Sequence, residues 1–124
     1  LDGGGKSVRV FIHMDDVSDA TMRIALNGKL GQAYHISGYE LVSIRECVET
    51  ILKLLGQSFD DCVELGPERP GKDAAYTLDS KKIREELGWN DTIDLNKGIL
   101  SVVNWMQRNK DILSNLPQKY IHKP

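Results

Sequence analysis

Residues 9–16 read RVFIHMDD. Arg9 leads Val10, Phe11 and Ile12 into His13, the composition of a short strand. Asp15 or Asp16 then supplies an N-cap oxygen for a helix over roughly residues 16–27. On that helix Val17, Ala20, Ile24 and Ala25 share one face, and Gly28 is a natural stop. A strand that runs straight into an amphipathic helix is the building unit of an α/β fold.

The same alternation continues outward. AYHIS at 33–37 reads as a second strand. Ser43 and Glu46 form an S-x-x-E capping box for a helix carrying Ile44, Val48, Ile51, Leu52 and Leu55 at helical spacing, ended by Gly56. CVEL at 62–65 predicts a third strand, and the glycines and prolines of GPERPGKD make the following segment a loop. Ala75 to Leu78 reads as a short extended stretch. Asp79 or Ser80 caps a brief helix through Ile83 and Leu87, closed by Gly88, and Asp94 opens a long helix with Leu95, Ile99, Val102, Val103 and Met106 as its stripe. From Asp111 the chain is amphipathic and then polar. Short strands alternating with helices over residues 1–124, without an internal repeat, predict one α/β domain, with residues 1–7 as a glycine-rich loop or boundary segment.

Bulk properties exclude several classes of function. The 124 residues carry a net charge of −2, so no global basic field exists to grip nucleic acid, and an anion site must be built locally. Hydrophobic residues make up 40%, a modest share that fits a lobe completing its core against another segment. No apolar run reaches membrane-spanning length. Cys47 and Cys62 form no CxxC pair and fit two buried, inert thiols in a reducing cytoplasm better than a disulfide. His13, His35 and His122 lack ligand spacing with either cysteine, so no metal site is expected.

The motifs of cofactor and acid–base chemistry are missing. Gly5-Lys6-Ser7 imitates the end of a P-loop, but a strand pattern follows where the helix is required. Gly3 and Gly5 are followed by Val8 where a dinucleotide fingerprint needs its third glycine. Tyr120 and Lys123 are three apart rather than the four of a Y-x-x-x-K pair. Asp15 and Asp16 are adjacent and point differently, so helix capping explains them better than a carboxylate dyad. Trp89 and Trp105 read as core packing. No catalytic or cofactor-binding residue is therefore expected in this chain.

Arg9 and Arg69 remain. Arg69 stands in the Pro-Gly loop PERPGKD, residues 67–73, and Arg9 at a strand end rather than on a helix face. A planar fork of donors in such places suits a phosphate, although two surface arginines would read the same way.

Taken together these segments resemble the C-terminal lobe of the extended short-chain dehydrogenases that act on nucleotide sugars, the NAD-dependent epimerase/dehydratase family. The family pattern of arginine, aromatic, β-rich triplet and aspartate stands here as Arg9 to Asp16. The YNIG-type segment stands as Tyr34, His35, Ile36 and Ser37, and the RPG[HD] loop as Arg69, Pro70, Gly71 and Lys72. The DxSKxxxELGW stretch stands as Asp79 to Trp89, and the chain ends YIHKP. The resemblance is nearest to the 4,6-dehydratases of the dTDP-glucose type, with the UDP-sugar 4-epimerases close behind; a non-catalytic binding module is the reading from another class.

The resemblance implies a C-terminal substrate-binding lobe over residues 1–124, with the N-terminal NAD-binding domain of an extended Rossmann-type enzyme lying outside this chain. It implies that Arg9 and Arg69 hold the diphosphate of a nucleotide sugar, that Lys72 faces its ribose or phosphate, and that Tyr76 borders the sugar pocket. NAD would then belong to the parent enzyme and not to this chain alone. The implied reaction is oxidation at sugar C4, loss of water across C5 and C6, and return of hydride to C6. A lobe separated from its partner domain is expected to self-associate through the 33–37 strand and the apolar face of the Ser43 helix, or to be markedly less stable than a compact domain of its size.

Overall fold

A computed structural model describes residues 1–117; Tyr120, Lys123 and the YIHKP ending lie outside the described residues. A 3₁₀ turn at Gly3–Gly5 leads into β1 (Val8–Val10), α1 (Met14–Asn27), β2 (Leu41–Ser43), α2 (Ile44–Leu55), α3 (Phe59–Cys62), β3 (Ala75–Tyr76), α4 (Lys81–Leu87), α5 (Leu95–Arg108) and α6 (Lys110–Ser114). The strands form one small mixed sheet in the order β2–β1–β3. β1 pairs antiparallel with β2, setting Arg9 opposite Val42, and parallel with β3, setting Arg9 opposite Tyr76.

Local chemistry accounts for the helix ends. Ser43 Oγ accepts from Glu46 N while Glu46 Oε2 accepts from Ser43 N, the reciprocal capping box, and Gly56 closes α2 at φ +65. Asp94 accepts from Lys97 N to open α5. Asp79 Oδ1 accepts from Lys81 N at the start of α4, and Gly88 ends that helix in the left-handed region. At α1 the cap differs from expectation. His13, not Asp15 or Asp16, occupies the N-cap, its Nδ1 accepting from Asp15 N at 3.2 Å. β1 stops at Val10, so Phe11–His13 becomes the turn and both aspartates fall inside the first helical turn, beside the positive end of the dipole. Gly28 ends α1 without a positive φ; a Cβ there would lie 2.4 Å from the Ile24 carbonyl oxygen.

The core is small. Ala20 of α1, Ile83 of α4 and Trp89 are buried together, with Ile12, Ile24, Tyr34, Ile36 and Leu87 packed around them. Two expected strands are absent. Residues 33–37 alternate inward at Tyr34 and Ile36, yet they make no ladder; the Ala33 and Ser37 carbonyls accept instead from Lys82 Nζ and Arg84 Nη2. Residues 62–65 likewise form no strand. Cys62 closes α3, and the nearest pairing is a single bridge between Asp2 and Gly66. Apolar alternation reports burial on one side, whereas a strand also needs a neighbouring backbone.

The aromatic and thiol expectations divide. Trp89 is fully buried and its indole N–H donates to Asp16 O, but Trp105 is 56% exposed on the outer side of α5. Cys47 is half-buried, and burial pushes its thiol up; Cys62 is exposed rather than buried. An apolar groove of about 340 Å³ runs between α2 and α5, lined by Phe11, Cys47, Ile51, Ile99, Val103 and Met106 among others. Among the described residues no helix is long and apolar enough to cross a membrane.

Candidate functional site

The central strand positions Arg9. Its guanidinium donates from Nη1 to Val8 O at 2.7 Å and from Nη2 to Asp73 O at 3.2 Å. Those bonds, with Val8 N donating to Ala74 O, hold the end of the 67–73 loop against the sheet. Of its five N–H donors, these bonds use two. Tyr76 is its register partner on β3, so both side chains stand on one face of the sheet, the tyrosine ring 58% exposed.

Arg69, Pro70, Gly71 and Lys72 form a tight turn closed by Lys72 N donating to Arg69 O. Gly71 sits at φ +75 in the third position with proline before it, the requirement of a type II turn. The turn throws the Arg69 side chain outward, 71% exposed, with Nε 3.0 Å from Asp2 Oδ2. Lys72 is the more buried of the two. Its side chain is 13% exposed, its Nζ lies 2.7 Å from Glu68 Oε1, and it donates to Asp2 O. The bond from Lys72 is the main cause holding the Glu68 carboxyl below its ordinary range.

The four residues thus fall into two pairs: Arg9 with Tyr76 across the sheet, and Arg69 with Lys72, both of which contact Asp2. Chemically the site offers outward guanidinium donors and one phenol. It can hold and orient an anion.

Two residues whose long-range roles the sequence does not announce, Arg84 and Asp16, tie together the segments packed near Trp89. Arg84 is 9% exposed and donates to Ser80 Oγ, Asn90 Oδ1, Ser37 O and Asp91 Oδ1 while stacking between Tyr39 and Trp89. Its spacing of four from Ser80 was the available signal. Asp16 is buried and accepts from Thr92 and Ile93. No local pattern marks a partner so far along the chain.

Known proteins share this sequence pattern and fold. The family model for GDP-mannose 4,6 dehydratase matches residues 1–102. A dTDP-glucose 4,6-dehydratase of Streptomyces niveus is 36% identical over 108 residues, covering 87% of this chain and 32% of the relative. The solved dTDP-glucose 4,6-dehydratase of Streptomyces venezuelae, with NAD bound, superposes with a TM-score of 0.84 at 31% identity, covering 90% of this chain and 34% of that one. The enzyme of the same name from Bacillus anthracis, also solved with NAD, gives 0.82 at 29% identity over 90% of this chain and 35% of its own. The chain therefore spans about a third of the length of the relatives it matches. Its α/β fold, its ordered motifs and a family model matched over most of its length agree: the chain belongs to the GDP-mannose 4,6 dehydratase family of extended short-chain dehydrogenases.

Proposed function

We propose that this chain is the nucleotide-sugar-binding portion of an NAD-dependent nucleotide-sugar 4,6-dehydratase of the dTDP-glucose type, a lyase. The carrying observation is the outward Arg69 at the tip of its type II turn, in a chain 36% identical to an enzyme of that name. Arg69 and the remaining donors of Arg9 take the diphosphate, Lys72 lies toward the ribose or phosphate, and Tyr76 borders the sugar. Lys72 has already committed donors to Glu68 and Asp2, so its share in the ligand is the smallest of the three cations. NAD, bound by the rest of such an enzyme, supplies the hydride acceptor and donor for the changes at sugar C4 and C6.

A charged hydrogen-bond set contributes about 1.5–3 kcal/mol, so Arg69→Ala in the full-length protein should weaken nucleoside-diphosphate affinity roughly tenfold to a hundredfold. Calorimetric titration reads this directly, with circular dichroism confirming an unchanged fold. An affinity within a factor of about two of wild type sinks the reading, since that is less than one charged hydrogen bond. In the same calorimeter this chain alone should give no saturable heat with NAD.

The exposed apolar surface fits a portion of a larger body. The 33–37 backbone is partly satisfied by Lys82 and Arg84, Val48 is partly buried, and Ile51 faces the groove shared with α5. A run of bare apolar surface lies along α5, α6 and the turn after it, where Val102, Trp105, Met106, Ile112 and Leu116 are each at least half exposed. The isolated chain should therefore pair with a second copy through α5. Sedimentation velocity should show a mass that rises with concentration in the wild type and a monomer in Trp105→Lys. A strictly monomeric wild type with a high, cooperative melting transition would mean that this lobe completes its own core.

A further inference from the structure

Arg69 is already paired: a carboxylate of the same chain takes the Nε side of its guanidinium. Asp2 Oδ2 is 3.0 Å from Arg69 Nε. The Asp2 backbone is held in place, bridged to Gly66, with Gly3 N donating to Gly66 O and both Gly5 N and Lys72 Nζ donating to Asp2 O. Gly66 leaves room for the carboxylate; a Cβ there would sit 3.2 Å from Asp2 Oδ1. Nothing in the core requires the pair, because the Arg69 and Asp2 side chains are 71% and 49% exposed.

We infer that Asp2 is a built-in competitor for the anion site of Arg69, a carboxylate that mimics the phosphate and sets how tightly a diphosphate is held. This rests on Arg69 being a phosphate ligand. An exposed carboxylate–guanidinium pair is weak, so a diphosphate of higher charge displaces it. Until it does, Asp2 neutralises one of the cations the ligand needs and repels the ligand across a few ångströms of partly solvated space. A weakly charged ligand gains too little to displace Asp2, so the contact favours diphosphates over monoanions.

The test is a double-mutant cycle in the full-length protein, with Asp2→Asn, Arg69→Gln and the pair, titrated with dTDP and with inorganic pyrophosphate. Asp2→Asn should tighten dTDP binding on the order of threefold to tenfold at low ionic strength, the gain shrinking as salt screens the charges. Arg69→Gln should weaken binding, and in its background Asp2→Asn should change little, because the cation that Asp2 blocks is gone. Pyrophosphate should follow the same pattern, since the competition concerns charge and not the base. If Arg69→Gln binds as wild type does, Arg69 is no phosphate ligand and both readings fall. If Arg69→Gln is weak but Asp2→Asn is unchanged or weaker, Arg69 stands and the competitor is overturned.

Discussion

Arg84→Met should cost this fold about 2–4 kcal/mol of stability, a large part of the 5–15 kcal/mol that a domain of this size usually holds. The guanidinium is 9% exposed, and it joins three separated segments: the Ser37 carbonyl before β2, Ser80 at the start of α4, and Asn90 and Asp91 beyond that helix. Methionine fills much of the slot between Tyr39 and Trp89 but donates nothing. The Asp91 carboxylate, 30% exposed, then loses its cation and recovers only part of that loss from water. Arg84→Lys keeps the charge but not the planar fork, so it should cost roughly half as much. Urea unfolding followed by Trp89 fluorescence measures both. A loss below about 1 kcal/mol for Arg84→Met would show that the four bonds are replaced by solvent at little cost.

The contrast between Arg84 and Ser43 shows what could be read before the structure. Ser43 caps through partners three residues away, Gly56 through backbone groups in its own helix, and Asp94 through Lys97. Each of these is written within one helical turn. The RPGK turn is legible for the same reason, since proline and glycine fix its type locally. Arg84 depends on Ser37 and Tyr39, which only the folded chain brings to α4. Alternation at 33–37 correctly marks Tyr34 and Ile36 as inward, but a ladder requires a backbone neighbour that the segment lacks among the described residues. The same limit applies at the anion site. Arg69 and its exposure follow from the turn, whereas the carboxylate facing it comes from Asp2, far earlier in the chain. The His13 cap is hidden for another reason: an imidazole Nδ1 accepts as an aspartate oxygen does, yet histidine is not among the residue types that mark an N-cap, and two aspartates follow it.

Asp16 is the second residue whose loss should be severe, and its effect should depend on pH. Oδ1 accepts from Thr92 N at 3.0 Å and Thr92 Oγ1 at 2.9 Å, and Oδ2 accepts from Ile93 N at 3.0 Å. The first turn of α1 is thereby fixed to the segment that leads into α5. Burial alone pushes the carboxyl up. The bonds from Ile93 and Thr92, with a smaller contribution from His13, outweigh it and hold the group below its ordinary range. With the folded value depressed, the stabilisation is fully present above the unfolded value of about 4 and fades as pH falls through the folded one. Asp16→Asn keeps one acceptor but turns an amide N–H toward the Ile93 N–H, leaving a buried donor unmet. At neutral pH it should therefore cost about 2–4 kcal/mol. Below about pH 4 the gap between wild type and variant should narrow, because a protonated Asp16 is nearly as poor an acceptor as the amide. Exposed carboxylates such as Glu46, Glu68 and Asp94 are present in both proteins, so their titration cancels in the difference. Urea melts of the pair from neutral to acid pH provide the measurement. A gap that stays constant across that range would mean that Asp16 acts through shape and not through its charge.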